Sequence, residues 1–121
     1  MKIKIDHLDK LFSSYIRKRA KGYCEFCGKF YGEERLQCCH FHGRRMKSVR
    51  YDPDNAIAAD FHCHQHLDSE PLEKVEFWKK RLGEDKFDML NSRARTPARY
   101  LDKEAIRLWL QIEVKKLEKG G

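Results

Sequence analysis

Apolar residues recur at helical spacing on both sides of a middle segment that is rich in cysteine and histidine. Near the start, the spacing predicts a helix over residues 6–21, with Asp6 as its N-cap and Gly22 ending it. From residue 70 onward it predicts further helices over residues 70–118, the first closed by Gly83 and the last capped by Asp102. The apolar stripe expected to face the core in that last helix consists of Ala105, Leu108, Trp109, Ile112 and Leu117.

The middle segment, residues 23–68, has short apolar runs between turn residues in place of a helical repeat. The run at residues 56–59 is predicted to be a short strand, and a short helix is expected around residues 63–67. These patterns together predict a single α+β domain over residues 1–121, in which an N-terminal helix and C-terminal helices flank the middle segment.

The net positive charge of the chain is concentrated in its first 50 residues. Residues 1–50 carry 13 Lys and Arg against 5 Asp and Glu, a balance of +8, whereas residues 51–121 carry 13 against 14, a balance of −1. This excess favours a polyanionic partner, most simply nucleic acid, although a solvated basic surface explains the charge alone equally well. No apolar run reaches membrane-spanning length and the start lacks a signal-peptide pattern, so we expect a cytoplasmic protein without a membrane partner.

Five cysteines lie between Cys24 and Cys63, and in a reducing compartment such a cluster favours metal ligation over disulfides. Cys24-x-x-Cys27-Gly28 has the spacing of a zinc knuckle, which supplies two corners of a tetrahedral Zn²⁺ site. Cys63 is the expected third ligand. The fourth ligand is left open by the sequence, the candidates being Asp60, His66, Cys38 and Cys39. A self-contained finger with Cys24, Cys27, Cys39 and His42 is an alternative.

The chain has more histidines than a structural zinc site needs. His40 and His42 lie at the end of an expected strand, and three more alternate around Cys63, namely His62, His64 and His66. A structural zinc site fills all four positions with protein ligands. The remaining imidazoles therefore indicate either a second, open metal site or exposed surface histidines.

Several motifs follow one another in a recognisable order. They are Cys24-x-x-Cys27-Gly28, the run Leu36-Gln37-Cys38-Cys39-His40-Phe41 with Gly43-Arg44-Arg45 after it, Arg50-Tyr51-Asp52-x-Asp54-Asn55, and Cys63-His64. This ordered set resembles phage HNH-type nucleases, and in particular the NinG (Rap) recombination-protein family. The likeness extends into residues 9–17 and 77–88, so the resemblance covers roughly residues 8–93.

The resemblance implies a zinc-stabilised ββα-metal core, also called the HNH or His-Me finger, and a metal-dependent DNA endonuclease that hydrolyses phosphodiester bonds. It places His40 at the general base, Asn55 at the HNH asparagine and His64 at the final metal-binding histidine. Asn55 would either orient His40 or bind the catalytic metal. The implied cofactors are a structural Zn²⁺ and one catalytic divalent ion, which would be Mg²⁺, Mn²⁺ or Zn²⁺.

Two positions depart from the family pattern. The second knuckle is usually Cys-x-x-Cys, whereas Asp60 stands at its first position here. Because zinc accepts a carboxylate, Asp60 is our expected fourth ligand. Cys39 occupies the place that many HNH sites give to an acidic or histidine ligand. Either Cys39 binds the catalytic metal, which favours a softer ion, or the site relies on His64, Asn55, water and substrate phosphate.

Basic residues between His40 and Asn55 predict contacts with DNA phosphates. They are Arg44, Arg45, Lys47 and Arg50, and Arg17 and Arg19 would extend the same surface. Phosphate contacts give affinity without sequence information, so we expect recognition of DNA shape. The resemblance suggests branched DNA in phage or prophage recombination, in the host-cell cytoplasm, with a second copy of the chain and recombination proteins as candidate partners. The alternatives are a non-catalytic zinc module that binds nucleic acid and a recombination adaptor.

Overall fold

A computed structural model describes residues 3–120, apart from the side chain of Tyr100. Within that range the chain forms five helices and a two-stranded sheet, which confirms the predicted α+β class. The elements are α1 His7–Arg19, β1 Gln37–His40, β2 Ala56–Ala59, α2 Phe61–Ser69, α3 Pro71–Leu82, α4 Glu84–Ala94 and α5 Lys103–Lys119. No helix within the described residues is long and apolar enough to span a membrane.

Helix α1 begins where the sequence predicts. The backbone N–H of Asp9 donates to the Asp6 carboxylate at 2.7 Å, and the N–H of Asp6 donates to the Asp9 carboxylate at 2.9 Å, a reciprocal capping box. After the helix the chain turns through Lys21 and Gly22, both with positive φ. A Cβ on Gly22 would lie 2.6 Å from the ring of Phe30, so only glycine fits this turn.

The sheet consists of β1 paired antiparallel with β2, in a register that sets Cys39 opposite Ile57 and His40 opposite Ala56. Helix α1 packs on both strands. Helix α2, which begins directly after β2, also contacts both strands. Side chains alternate across a strand. As a result Cys39 lies against α2, whereas the ring of His40 lies against Phe12 of α1.

Helices α3 and α4 cover the other side of the loop between the strands. Trp78 of α3 is fully buried, and its indole N–H donates to the carbonyl oxygen of Asp54 at 3.0 Å. The ring of Phe41 packs between Trp78 and Phe87, with centroids 5.3 Å from each. Gly83, at φ 84°, separates the two helices, as the sequence predicts.

Helix α5 is capped by Asp102 as predicted, but the predicted core stripe is largely wrong. Leu110 is fully buried, whereas Leu108, Trp109 and Ile112 are 50%, 43% and 54% exposed. Ala105 is also exposed, and only Leu117 of the predicted stripe is partly covered. The reason is that apolar residues occupy more than one face of α5, and packing against α1 decides which of these faces becomes core.

Candidate metal centres beside the sheet

The first candidate centre brings together Cys24, Cys27, Asp60 and Cys63, which we call the knuckle cluster. One ligand atom from each of these residues lies within 4.8 Å of the others, so the four are close enough to hold a metal ion. Asp60 is the N-cap of α2 and Cys63 lies in its first turn. Of the fourth ligands that the sequence leaves open, the structure therefore places Asp60 with the three cysteines.

Local backbone geometry sets the knuckle cluster against the sheet. The N–H of Gly28 donates to the carbonyl of Cys24 at 2.9 Å, and the N–H of Cys24 donates to that of Lys29 at 2.8 Å. The N–H of Glu25 then donates to the carbonyl of Ala58 in β2 at 2.8 Å. The turn is thereby held beside the strand that leads into α2. This arrangement brings two ligands from the turn to two ligands from the helix.

The pKa values of the side chains in the knuckle cluster depend on burial and on the hydrogen bonds among them. Burial raises the pKa of the Cys24 thiol, and burial together with the hydrogen bonds that its thiol donates to neighbouring side chains raises that of Cys63. Burial also raises the pKa of Asp60, but hydrogen bonds from Cys63 and Cys24 outweigh it and lower the value overall. A bound cation favours the thiolate forms that ligate metals. The donor set of three sulfurs and one carboxylate suits Zn²⁺.

The second candidate centre contains Cys39 of β1 with His64 and Asp68 of α2, which we call the strand cluster. Its ligand atoms also lie within 4.8 Å of one another. The imidazole Nε2 of His64 is 3.4 Å from Asp68, and its Nδ1 is 2.8 Å from the side-chain oxygen of Gln37. Burial lowers the pKa of His64, which favours the neutral imidazole, the form that binds metals.

The strand cluster differs in exposure across its three members. Cys39 is fully buried, and burial raises the pKa of its thiol to about 12. The side chain of Asp68 is 54% exposed and that of His64 is 26% exposed. One side of the cluster is therefore open to solvent, and three protein ligands would leave at least one position for water on a bound metal ion.

His40 is adjacent to Cys39 but lies on the opposite face of β1. Its Nε2 is 3.2 Å from the backbone carbonyl of Arg50. Because a carbonyl only accepts hydrogen bonds, Nε2 carries the proton and Nδ1 is left as the basic nitrogen. Burial, with the charge of Arg44 as the next cause, lowers the pKa of His40 to about 4. The imidazole is therefore neutral at pH 7.

Asn55 is fully buried and braces the loop between the strands. Its amide oxygen accepts from the backbone N–H of His42 at 2.9 Å. Its amide nitrogen donates to the carbonyls of His42 and Val49 at 2.9 and 3.1 Å. These bonds use both amide hydrogens within the protein. The structure thus places Cys39 and His64 together, whereas the Asn55 amide is bonded to the loop.

The other candidate ligands, which are His42 and Cys39 of the alternative finger and His66, contact residues outside the knuckle cluster. His42 Nε2 lies 2.7 Å from the side-chain oxygen of Asn91 in α4, and Cys39 belongs to the strand cluster. His66 is 2.7 Å from Glu73 and does not join the knuckle cluster. Among the described residues, the geometry therefore favours the set with Asp60 over the alternative finger with Cys39 and His42.

The predicted DNA-binding residues divide into exposed and engaged side chains. Arg45 and Lys47 are exposed, and Arg44 is half-buried with Nε 3.7 Å from Asp9. Arg50 is only 7% exposed, and its Nε donates to Asp9 at 2.9 Å. Two further predicted residues also bond within the protein. Arg17 donates to Ser13. Arg19 donates to the carbonyls of Pro53 and Ala56 and pairs with the carboxylate of Glu25.

Asp68 is the site residue that the sequence analysis missed. It stands four residues after His64, and residues at this spacing share one face of a helix. The His-x-x-x-Asp spacing could therefore have identified Asp68 as a candidate ligand.

Comparisons with protein-family models, with curated proteins and with solved structures find no match. The case for function therefore depends on the residues and geometry described above.

Proposed function

We propose that this protein is a metal-dependent DNA endonuclease with an HNH-like ββα-metal site. The observation that carries the proposal is the arrangement around β1, β2 and α2. A four-ligand cluster lies beside a three-ligand cluster that is open to solvent, and the neutral His40 is adjacent in sequence to one of the open cluster's ligands. A closed site together with an open one suits a structural zinc ion and a catalytic metal ion.

In this proposal the knuckle cluster holds a structural Zn²⁺. Cys24 and Cys27 come from the turn after α1, while Asp60 and Cys63 come from the start of α2. A metal shared by the two segments would fix α2 against the sheet and so position His64 and Asp68. In a domain of this size, such a bond replaces part of the stability that a larger core supplies.

The catalytic metal would be held by Cys39, His64 and Asp68. A metal ion bound there would act as a Lewis acid and would neutralise charge on the phosphate and on the leaving oxygen. A thiolate and an imidazole among the ligands favour Zn²⁺ or another soft to borderline ion over Mg²⁺. Gln37 accepts the Nδ1–H of His64, which would leave Nε2 available to bind a metal ion.

His40 would act as the general base through Nδ1. The Arg50 carbonyl holds Nε2–H, so the free nitrogen accepts a proton from the attacking water. General-base assistance of this kind is worth roughly 10²–10⁴-fold in rate. Asn55 would contribute indirectly, because its three hydrogen bonds hold the loop that runs from His42 to Val49.

DNA would be held by basic residues of that loop, namely the exposed Arg45 and Lys47 and the half-buried Arg44. Their contacts would be with phosphates and would give affinity for DNA shape without base specificity. We assign Arg50 and Arg19 structural roles, since their guanidinium groups bond within the protein. The link to branched DNA and to phage recombination is proposed from the resemblance.

The test is metal-dependent cleavage of supercoiled, single-stranded and branched DNA by the wild type and by His40→Ala. Mg²⁺, Mn²⁺ and Zn²⁺ are added separately, and bound zinc is counted in each protein. His62→Ala is the matched control, because His62 is an exposed histidine of α2 outside both clusters. We expect cleavage by the wild type and by His62→Ala, and its loss in His40→Ala with unchanged zinc content. Absence of cleavage on every substrate would overturn the proposal.

A second candidate function is a zinc-containing module that binds nucleic acid without cutting it. The observation that favours it is the complete burial of Cys39, whose thiol has a pKa raised to about 12 and so resists ionisation. In that case the strand cluster would hold no metal. DNA binding without cleavage, and with one zinc ion per chain, would support this function.

A further inference from the structure

A cavity of about 310 Å³ opens on the side of the molecule that carries the loop between the strands. It lies between the Lys47–Val49 turn and the segment that leads into α5. Its walls are formed by Lys47, Arg50, Tyr51, Ala98, Leu101 and Lys103. Its volume is at the lower end of the range for small-molecule sites, roughly 300–1,000 Å³.

The walls of the cavity are basic. Among the residues described, no acidic side chain lines it. Lys47 is exposed. The side chain of Lys103 is 60% exposed, and its ammonium lies 3.7 Å from the carboxylate of Asp6. Arg50 is neutralised by Asp9. Two ammonium groups therefore remain for an anion, with one carboxylate close to the second of them.

The rest of the wall is apolar. Ala98, Leu101 and the ring of Tyr51 line the cavity beside the two lysines. The Tyr51 hydroxyl donates to Asp6 at 2.8 Å, and this bond holds the ring in place. A preformed apolar wall with a few charged groups suits a ligand that has one anionic end and one apolar face. A nucleotide has this combination of a phosphate with a sugar and base.

The cavity is also connected to the proposed general base. Arg50 lines it with its side chain and receives the Nε2–H of His40 with its backbone carbonyl. The ring of Tyr51 contacts the ring of Phe12, with centroids 6.4 Å apart. Phe12 in turn contacts His40 at 5.7 Å. A ligand in the cavity would thus lie against the residues that hold His40.

We propose that this cavity binds one nucleotide of the DNA strand that the enzyme cuts. The phosphate of that nucleotide would contact Lys47 and Lys103, and its sugar or base would lie against Ala98 and Leu101. The proposal rests on the proposed nuclease function for the identity of the strand. Its physical basis is separate, because the two lysines and the apolar wall lie outside both metal clusters.

The experiment measures binding of three probes to the full zinc-loaded chain by calorimetry and by backbone NMR shifts. The probes are thymidine 3′,5′-bisphosphate, thymidine and inorganic phosphate. We expect the bisphosphate to shift the amides of Arg50, Tyr51 and Leu101, and to bind more tightly than either of its parts. Lys47→Ala with Lys103→Ala should weaken binding of the bisphosphate by roughly tenfold or more, because its phosphate then loses both charge-assisted contacts.

Two further variants make the result specific. Ala98→Phe fills the cavity and should abolish binding of the bisphosphate while inorganic phosphate still binds. Lys80→Ala, which removes an exposed lysine of α3 away from the cavity, should leave the affinity unchanged. Equal binding by the double lysine variant, or shifts confined to other residues, would overturn the site. If Ala98→Phe does not fold, the lysine pair still decides the question.

The same measurements separate this inference from the proposed function. Binding is recorded in His40→Ala as well as in the wild type, so it does not require cleavage. A short single-stranded deoxyoligonucleotide should shift the same amides and lose affinity in the double lysine variant. Binding of the free bisphosphate alone would overturn the assignment to a DNA strand. Nucleotide binding without any DNA cleavage would contradict the nuclease function and retain the cavity as a nucleotide site.

Discussion

The knuckle cluster and the strand cluster share helix α2 but differ in number and kind of ligand. The knuckle cluster has four donors, three of them sulfur; Cys24 and Asp60 are buried, whereas Cys27 is exposed. The strand cluster has three donors of three different kinds, and its Asp68 faces solvent. Under the proposed function, these two clusters, a few residues apart on one helix, would have different tasks, one in folding and one in chemistry.

The two faces of β1 also differ in the residues that they contact. Cys39 points to α2 and joins the strand cluster, whereas His40 points to α1 and is held by Phe12 and the Arg50 carbonyl. The proposed metal ligand and the proposed base are thus neighbours in sequence, and their side chains do not compete for one position. The alternation of a β-strand is sufficient to produce this separation.

The largest effect is expected from loss of the knuckle cluster. Cys24→Ser, or removal of metal by a chelator, should unfold the domain. Structural zinc binding in small domains is worth about 10–16 kcal/mol, comparable to the whole stability of a domain. Circular dichroism melting and zinc content would measure this. Cys38→Ala is the matched control, because Cys38 lies outside both clusters and should keep its zinc. A folded, cooperative Cys24→Ser protein would contradict the structural role.

Loss of the buried ion pair between Asp9 and Arg50 should be the next largest effect. Asp9→Asn leaves the buried guanidinium without its charge partner, which typically costs about 3–5 kcal/mol. Because the pair lies outside both clusters, the zinc content of the folded protein should not change. Urea unfolding with zinc counting would check both statements. A loss of zinc at full stability would show that the pair supports the metal sites instead.

Asp68→Asn should have a smaller and more local effect. Removing one of three ligands should weaken the second metal by roughly tenfold or more, by analogy with losses at supporting residues of metal sites. The zinc of the knuckle cluster and the melting temperature should be unchanged. Titration of the added metal against DNA cleavage would show a higher metal requirement. Glu73→Gln on α3 is the control, and an equal change in both variants would exclude a ligand role for Asp68.

The smallest effect is expected from Asp60→Cys, which converts the knuckle cluster to four thiolates. The carboxylate also accepts from the N–H of Cys63 at 3.4 Å, so the substitution loses a helix cap worth about 1 kcal/mol. We expect zinc to be retained and released more slowly to a chelator, at almost unchanged stability. Release as fast as from the wild type would indicate that Asp60 is not a ligand at all.

The sequence was informative where local chemistry determines structure. Asp6 and Asp102 cap their helices as predicted, and residues 56–59 form the predicted strand. The cysteine spacing and the position of Asp60 also anticipated the knuckle cluster. The caps, the strand and the spacing within each pair of knuckle ligands depend on neighbouring residues, and they can be read without knowing the tertiary fold.

The sequence was less informative where distant contacts decide. Nothing local distinguishes Arg50, which is buried against Asp9 of α1, from the exposed Arg45. The exposure of Trp109 likewise follows from how α5 meets α1. The role of Asp68 depends on Cys39, which lies on another element. Each case requires the partner across the fold before the residue can be interpreted.

The division of tasks between the two clusters is tested most directly by His64→Ala. Zinc that survives dialysis is counted in this variant and in the wild type, and DNA cleavage is measured with added divalent metal. We predict the same retained zinc and the same melting temperature in both proteins, with metal-activated cleavage only in the wild type. Cleavage by His64→Ala at the wild-type rate, or loss of the retained zinc in that variant, would contradict the assignment of a structural and a catalytic centre.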